Sequence, residues 1–317
     1  MMQQNTQVAL IGAPTDVGAS QRGASMGPEA LRVAGIQNSL QRLGCLVNDM
    51  GNLSGPANPE QARHNGYRHL NEVREWCAAT RDAVFRALES GQLPILMGGD
   101  HSLSIGSIAA VAQHCAARRE PLSILWLDAH ADFNVPESSP TGNLHGMPVA
   151  VITGHGPESL LELGHARPIV TADRIQQIGV RSVDAIEKKL VVEAGIVVYD
   201  MRQVDELRMR VVMEQALARC SESGGHLHVS FDVDFLDPEI APGVPTTVPG
   251  GPTYREAQLC MEMIHDSGLM QSLDIAELNP AYDEGNRTAE LVVELVESLF
   301  GEQILARAPG ATTRYGL

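Results

Sequence analysis

Six side chains in three short segments are of the types that bind divalent metal ions. They are His101, Asp128, His130, Asp132, Asp232 and Asp234. In the segments 128–132 and 232–234 these residues alternate with apolar ones. Alternate side chains of an extended chain lie on the same face. The set holds four carboxylates and two imidazoles, more anionic groups than one cation needs. We therefore predict a pair of divalent ions bridged by carboxylates.

Oxygen ligands with a single nitrogen per metal and no thiolate favour Mn²⁺ over Zn²⁺. Two such ions can hold a bridging hydroxide as a ready nucleophile. The carboxylates balance the charge of the two ions, so a cationic substrate is tolerated if a further carboxylate meets its charge. Glu277, at the end of an apolar run, is the candidate for that role.

Each segment alone also has a simple structural explanation. An Asp-x-Asp such as residues 232–234 is common in loops, where Asp caps turns. The Gly-Gly-Asp-His segment can be a turn and a helix start capped by Asp100. The Asp-Ala-His-Ala-Asp segment directly follows an apolar run and is harder to explain in this way. The three together, each after an apolar run, favour a metal centre.

Apolar runs alternate with helical patterns along the whole chain. Strand-like runs occupy residues 8–12, 46–50, 93–97, 122–127, 175–180, 196–199, 227–231 and 273–278. Helical patterns occupy residues 28–43, 62–90, 102–118, 183–194, 204–221, 253–266 and 286–300. Runs that are apolar almost throughout suit strands buried on both faces of a parallel sheet. The alternation predicts a doubly wound α/β sheet in one domain, residues 1–317, with a closed eight-stranded barrel as the alternative.

Polar clusters follow five of these strands. They come after residues 93–97, 122–127, 175–180 and 227–231, and at the end of 273–278. In an open parallel sheet, ligands bind in the crevice beyond the carboxyl ends of the strands. We therefore expect the five clusters to converge on one site.

Composition excludes several classes of function. The chain of 317 residues has a net charge of −16 at pH 7, which argues against a nucleic-acid partner because phosphate binding needs a basic face. An acidic field attracts cations, although solubility alone also explains the charge. No apolar run is long enough to span a membrane, and residues 1–7 do not resemble a signal peptide, so we expect a cytoplasmic protein. The five scattered cysteines predict buried thiols rather than disulfides, and residues 306–317 are expected to be mobile.

The three segments, read as GGDHS, DAHAD and SFDVDFLDP, resemble the metal-binding signatures of the ureohydrolase family of arginases and agmatinases. The resemblance covers essentially the whole chain, from Ile11-Gly-Ala-Pro14 to the Leu-Asp-Ile-Ala-Glu-Leu-Asn-Pro segment at 273–280. It implies a three-layer α/β/α sandwich with a mostly parallel eight-stranded sheet. It also implies two Mn²⁺ per subunit, held by the six residues named above, and a homo-oligomer, either a trimer or a hexamer.

The segment after the second motif resembles the arginase version of the family. The resemblance implies substrate-binding residues, namely His130, Asn134, Thr141, Asn143, Asp184, Thr246 and Glu277. Among them, an amide, a hydroxyl and a second amide would bind an α-carboxylate, Asp184 an α-ammonium group and Glu277 a guanidinium. The implied reaction is hydrolysis of L-arginine to L-ornithine and urea. Asp132 would pass a proton to the leaving amine, and His145 would exchange protons with solvent.

Three alternatives remain open, and two residues depart from the family pattern. The set that resembles an α-carboxylate site argues against another ureohydrolase such as an agmatinase or guanidinobutyrase, since agmatine has no α-carboxylate, and a non-catalytic metal-binding homologue would be free to lose ligands. A zinc deacylase would need another ligand set and a pocket tyrosine. Pro245 replaces a Gly beside Thr246, which changes the loop because Pro fixes φ. Thr141 replaces a Ser and keeps the hydroxyl.

Overall fold

The computed structural model describes residues 5–222 and 224–305. All eight predicted strands are present: β1 (Gln7–Gly12), β2 (Leu46–Asn52), β3 (Leu93–Met97), β4 (Leu122–Leu127), β5 (Ile175–Val180), β6 (Val197–Asp200), β7 (His226–Asp232) and β8 (Met270–Ala276). They form one sheet in the order β2-β1-β3-β8-β7-β4-β5-β6, and every pairing is parallel. The sheet is open, with β2 and β6 at its edges, so the barrel alternative is wrong.

Helices cover both faces of this sheet. In chain order they are α1 (Gly27–Val33), α2 (Ile36–Arg42), α3 (Leu70–Glu89), α4 (Ser104–Arg118), α5 (Pro148–Ile152), α6 (Glu158–Leu161), α7 (Glu187–Ala194), α8 (Met201–Glu222), α9 (Tyr254–Ser267) and α10 (Arg287–Leu299). One apolar core joins the sheet to α1, α2, α8, α9 and α10, and a second joins it to α3 to α7. These are the three layers predicted from the sequence.

The two cores explain why the strands read as continuous apolar runs. In β1, Val8 and Leu10 face one core, whereas Ala9 and Ile11 face the other. Successive side chains of a strand point to opposite faces, so a strand covered on both sides is apolar at most positions. The edge strand β2 instead alternates between exposed and half-buried residues.

Three predicted helices differ from the structure. The pattern at 28–43 divides into α1 and α2 because Gly35 adopts a left-handed conformation with φ of 87°. The pattern at 62–90 begins only at α3, since His69 is also left-handed and residues before it form a turn closed by a bridge between His64 and Tyr67. The pattern at 183–194 begins only at Glu187, whose side chain accepts the main-chain N–H of Asp184.

The last strand ends earlier than predicted. β8 stops at Ala276, so Glu277 lies in the following loop with φ of 62° rather than in the strand. All five cysteines are buried thiols that form no disulfide, as predicted. None of the helices in the described part of the chain combines the length and apolar character needed to span a bilayer. The predicted mobility of residues 306–317 lies outside the described residues.

The loop that follows β1 is joined to the loop that follows β3. The main-chain N–H of Asp100 donates to the carbonyl of Thr15 at 3.1 Å, and the Asp100 carboxylate accepts the N–H of Gly18 at 2.8 Å. Between these bonds lies Gly99, where any side chain would overlap the carbonyl oxygen of Thr15. A glycine is therefore required at this contact.

Candidate active site

The five strands that precede polar clusters are neighbours in the sheet. The order β3-β8-β7-β4-β5 is uninterrupted, and all five strands run in the same direction. Their carboxyl ends therefore meet at one edge, as expected for an open parallel sheet. A cleft of about 330 Å³ lies there. Every predicted site residue except Asp128 lines this cleft, and Asp128 is buried beneath it.

Two groups of ligand-type side chains meet at the floor of the cleft. His101, Asp128 and Asp232 form one group, and Asp128, His130 and Asp234 form the other, with the ligand atoms of each group within 4.8 Å of one another. Asp128 belongs to both groups and occupies the bridging position. Its Oδ2 lies 3.2 Å from Nδ1 of His101, and its Oδ1 lies 3.5 Å from Nδ1 of His130.

The ring of His101 shows that the first group fits a cation. Its Nε2 bonds to the hydroxyl of Ser230 at 2.8 Å, and the ring stacks on Trp126 with centroids 4.2 Å apart. Its buried Nδ1 makes no hydrogen bond with any of the described residues, although carboxylate oxygens of Asp132 and Asp232 lie 3.2 and 3.0 Å away. A hydroxyl that bonds to the other ring nitrogen, and so fixes the orientation of the ring, is typical of histidines that bind metal ions.

The crowded carboxylates point to the same conclusion. Burial, and then the neighbouring Asp234 and Asp128 carboxylates, raise the pKa of Asp232 well above its ordinary value. Burial and Asp128 raise the pKa of Asp132 to about 7. Clustered carboxylates of this kind ionise fully only when cations compensate their charge. The residues therefore fit two divalent ions.

Short turns, rather than extended chain, aim the ligands. Oδ1 of Asp128 accepts the N–H of His130 at 2.6 Å, and Oδ1 of Asp232 accepts the N–H of Asp234 at 2.8 Å. Asp side chains commonly bond to the backbone two residues on. Asp132 has φ of 50°. The prediction that alternate ligands share a face is correct, but the reason is the turn and not a continued strand.

Glu277 links the metal groups to His145. Its Oε1 accepts the main-chain N–H of His101 at 2.8 Å and lies 2.9 Å from Nδ1 of His145. Its Oε2 is buried and has no hydrogen-bond partner among the described residues. Both Glu277 and Asp132 hold left-handed conformations, which cost free energy in residues other than glycine and cluster at functional sites.

The part of the cleft that Asn134, Thr141 and Asn143 line, which we call the far end, carries amide and hydroxyl groups. Asn134 donates to Asp184 at 3.1 Å, so these two predicted substrate contacts orient each other. Thr141 and Asn143 lie further along the same loop as Asn134, and the N–H of Asn143 donates to the Thr141 hydroxyl at 3.2 Å. The far end is therefore polar, whereas the floor is rich in carboxylates.

Thr246 lies nearer the metal groups than the far end. Its hydroxyl donates to Oδ2 of Asp234 at 3.2 Å, and it lines the cleft despite Pro245 before it. The buried guanidinium of Arg181 holds this region together, since it donates to the carbonyl oxygens of Asp234 and Val248, each at 2.8 Å. Arg181 thus ties the loop of Thr246 to the main chain of a metal-group residue.

Sequence reasoning missed several residues of the cleft. Ser20, Ser139 and Glu187 line it. Glu187 accepts the N–H groups of Phe133 and Asp184 at 2.8 and 3.0 Å and so joins two loops of the site. Its position within a helical pattern gave it the appearance of a solvated residue. The two serines lie well inside the loops that follow β1 and β4 rather than directly at a strand end, so nothing in the sequence separated them from ordinary loop residues.

Comparison with known proteins places this arrangement in a family. Residues 6–301 match the arginase family. An arginase of Agrobacterium fabrum is 46% identical over 304 residues, which cover 95% of this chain and 93% of that protein. The arginase of Bacillus caldovelox superposes with a TM-score of 0.90 at 40% identity, covering 95% of this chain and all of the other. An Entamoeba histolytica arginase, solved in complex with L-ornithine, has a TM-score of 0.87 at 30% identity with the same coverage. This chain belongs to the arginase family.

Proposed function

We propose that this chain hydrolyses L-arginine to L-ornithine and urea with two bound Mn²⁺ ions. The observation that carries the proposal is the division of one cleft. Metal-ligand groups and the unpaired Oε2 of Glu277 lie at its floor, and amide and hydroxyl groups lie at its far end. A substrate with a guanidinium at one end and an amino-acid carboxylate at the other matches both ends in charge and hydrogen bonding.

The metal-binding roles follow from the two groups. His101, Asp128, Asp132 and Asp232 would hold one or the other ion, and His130 and Asp234 complete the pair. Oxygen-rich ligation without thiolate supports Mn²⁺. When bound, such a pair supplies an activated water as the nucleophile near neutral pH.

The remaining residues bind the substrate and move protons. Oε2 of Glu277 accepts hydrogen bonds from the guanidinium and orients its carbon towards the floor. Asp132 accepts a proton from the attacking water and delivers it to the departing amine nitrogen. His145 is held by Glu277 through Nδ1, which leaves Nε2 to exchange protons with solvent. Asn134, Thr141 and Asn143 bind the α-carboxylate, and Asp184 binds the α-ammonium group.

A second candidate is another ureohydrolase, such as an agmatinase or a guanidinobutyrase. Agmatine has a guanidinium but no carboxylate, so the donors at the far end would have no ligand. The proximity of Asp184 to Asn134 favours a substrate with both an ammonium and a carboxylate group at that end.

The test is urea release from L-arginine, agmatine and 4-guanidinobutyrate by metal-stripped protein and by protein restored with Mn²⁺. We expect release from L-arginine alone, and only after Mn²⁺ is added. Asp128→Ala and Asp234→Ala should lose activity and Mn²⁺ binding together. Preferred release from agmatine would indicate the second candidate, and no release from any substrate would indicate a non-catalytic homologue.

Three further parts of the proposal concern the chain beyond the cleft. We propose that residues 1–317 form one domain, that the chain assembles as a homotrimer or homohexamer, and that it acts in the cytoplasm on a small-molecule substrate. Light scattering of the purified protein measures the assembly, and cell fractionation measures the location.

A further inference from the structure

The cleft that would receive an amino-acid carboxylate is itself acidic. Six residues that line it carry carboxyl groups, and none of the described lining residues is Lys or Arg. Like charges at close range repel, more strongly in a partly enclosed site than in water. The residues that would bind the carboxylate, Asn134, Thr141 and Asn143, are uncharged, so a cation placed just behind them would favour its binding.

Arg68 lies directly behind the lining of the far end. Its Nη1 donates to the hydroxyl oxygen of Ser20 at 2.8 Å, and the Ser20 hydroxyl donates to Oδ1 of Asn143 at 3.0 Å. A guanidinium can only donate hydrogen bonds, so the hydroxyl proton of Ser20 turns away from Arg68 and towards Asn143. With its oxygen engaged, Asn143 keeps its NH₂ group for the cleft.

The backbone holds Arg68 at this place. Its main-chain N–H donates to the carbonyl of Gly142 at 2.8 Å, and the neighbouring ring of His69 bonds to the carbonyl of Val17 at 2.8 Å. Three segments therefore meet at Arg68: the loop after β1, the turn before α3 and the loop that carries Asn143. The Nε of Arg68 is buried and has no hydrogen-bond partner among the described residues.

The hydroxyl groups of Ser139 and Thr141, on the loop that carries Asn143, are also oriented so that they can donate to a ligand. The oxygen of Ser139 accepts the N–H of Gly142 at 2.9 Å, and that of Thr141 accepts the N–H of Asn143 at 3.2 Å. Each hydroxyl uses its oxygen as an acceptor towards the backbone and so keeps its proton for a ligand. The far end thus presents donors, as an anion requires.

We propose that Arg68 is the positioning residue that makes this cleft specific for substrates with an α-carboxylate. It acts through Ser20 and Asn143: it supplies a positive charge behind the lining and fixes the direction of the hydrogen bonds between them. The inference rests on the proposed function and goes further, because it assigns substrate choice to a residue outside the cleft.

The first test compares two ligands that differ in the carboxylate. Affinities of the Mn²⁺-loaded protein for L-ornithine and for 1,4-diaminobutane are measured by calorimetry, together with KM and kcat for L-arginine. Arg68→Met should weaken L-ornithine binding and raise KM about tenfold, the value of one charge-assisted hydrogen bond, and leave kcat and diaminobutane binding unchanged. Arg68→Lys, which can still donate, should recover part of the loss.

The matched control is Arg63→Met. Arg63 lies on the same turn and donates to the carbonyl of Pro140 at 3.3 Å, with no bond to Ser20 or Asn143 among the described residues. Arg63→Met removes the same charge from the same region as Arg68→Met does. An equal loss of L-ornithine affinity in Arg63→Met and Arg68→Met would overturn the proposal, because a general field would then explain both.

A double-mutant cycle separates the relay from a direct contact. Ser20→Ala should weaken L-ornithine binding like Arg68→Met, and the double variant should be no weaker than either single variant. Additive losses would show that Arg68 acts independently of Ser20 and would overturn the proposal. Ser20→Ala also serves if Arg68→Met does not fold: unchanged affinity in that variant overturns the relay.

Failure of this inference differs from failure of the proposed function. If the unaltered protein with Mn²⁺ releases no urea from L-arginine, the proposed function fails. If it releases urea and Arg68→Met binds L-ornithine as tightly as the unaltered protein, only the role of Arg68 fails.

Discussion

Nδ1 of His145 and Oε1 of Glu277 lie 2.9 Å apart, and the same oxygen accepts the main-chain N–H of His101. Burial disfavours the charged ring of His145, but the carboxylates of Glu277, Asp100 and Asp132, with Glu277 contributing most, together outweigh this and raise the pKa of His145 to about 9. One oxygen of Glu277 thus holds the proton-transfer residue and the metal-group loop together. The other is left for a ligand.

Glu277→Gln should therefore reduce kcat/KM for L-arginine about a hundredfold or more, because a charged hydrogen-bond partner of the guanidinium is lost. Steady-state urea release measures the effect. Mn²⁺ content, measured by atomic emission, should stay at the level of the unaltered protein, since Glu277 belongs to neither ligand group. Activity within a fewfold of the original would contradict the guanidinium role.

Removal of metal should lower thermal stability. The three carboxylates of the two groups, together with the nearby Asp132, repel one another when no cation compensates them, and ions that bind only the folded chain stabilise it. We expect chelation to reduce Tm by about 5 to 10 °C and Mn²⁺ to restore it. Scanning calorimetry gives the shift.

Asp128→Asn provides the matched comparison for that experiment. It keeps the size of the bridging residue and removes its charge, so chelator should shift its Tm much less than that of the unaltered protein. Equal shifts in the two proteins would mean that the stabilising ions bind elsewhere.

Arg181→Met should destabilise the fold by about 3 kcal/mol, because buried carbonyl groups lose their donor. The guanidinium also bonds to the carbonyls of Gly179, Phe235 and Leu236. Urea unfolding measures the loss. Arg210→Met, on the exposed side of α8 where Arg210 pairs only with Glu214 among the described residues, is the control and should change stability by less than about 1 kcal/mol. Similar values for the two variants would contradict a structural role of Arg181.

Acid should weaken the fold through His226. This ring lies buried in β7, bonded to Ser272 at 2.7 Å, and burial, with smaller contributions from His228 and His114, lowers its pKa to about 3. The unfolded chain takes up a proton near pH 6.5, whereas the folded chain does not. Stability is therefore complete above about pH 6.5 and falls below it by up to about 1.4 kcal/mol per pH unit.

His226→Gln isolates this contribution, since an amide can keep the bond to Ser272 without titrating. The free energy of unfolding, measured by urea titration between about pH 5 and 7, should fall less steeply in the variant. Parallel slopes for the variant and the unaltered protein would show that His226 is protonated in the folded state.

The strands and the metal groups were predictable from sequence for one physical reason. Strands buried on both faces are apolar at most positions, so the ends of the apolar runs can be read from the sequence, and ligands of a parallel sheet bind at those ends. Asp128, His130 and Asp132 are conspicuous in the sequence because the packing of an apolar core does not explain three ligand-type side chains directly after an apolar strand. The rule that relates strand ends to ligand sites then brings five distant clusters together.

The parts that sequence did not predict depend on conformation and on contacts between loops. The left-handed φ of Glu277 ends β8 before the predicted residue, and no local pattern signals it. The helical pattern at 62–90 is periodic from its start, yet contacts of the turn before α3 with the loop of Gly142 override it. Arg68 owes its position to those contacts.

The contact of Gly99 with Thr15 has a practical consequence for redesign. This contact joins the loop that carries His101 to the loop that carries Ser20. A side chain at Gly99 would therefore shift both ends of the cleft at once. Attempts to retarget the protein to other guanidino compounds should leave the contact of Gly99 with Thr15 intact and vary residues 134–143 and 61–68 instead. Libraries built on those two loops should retain metal loading, whereas randomisation at Gly99 should yield proteins that lose chemistry and selectivity in a single step.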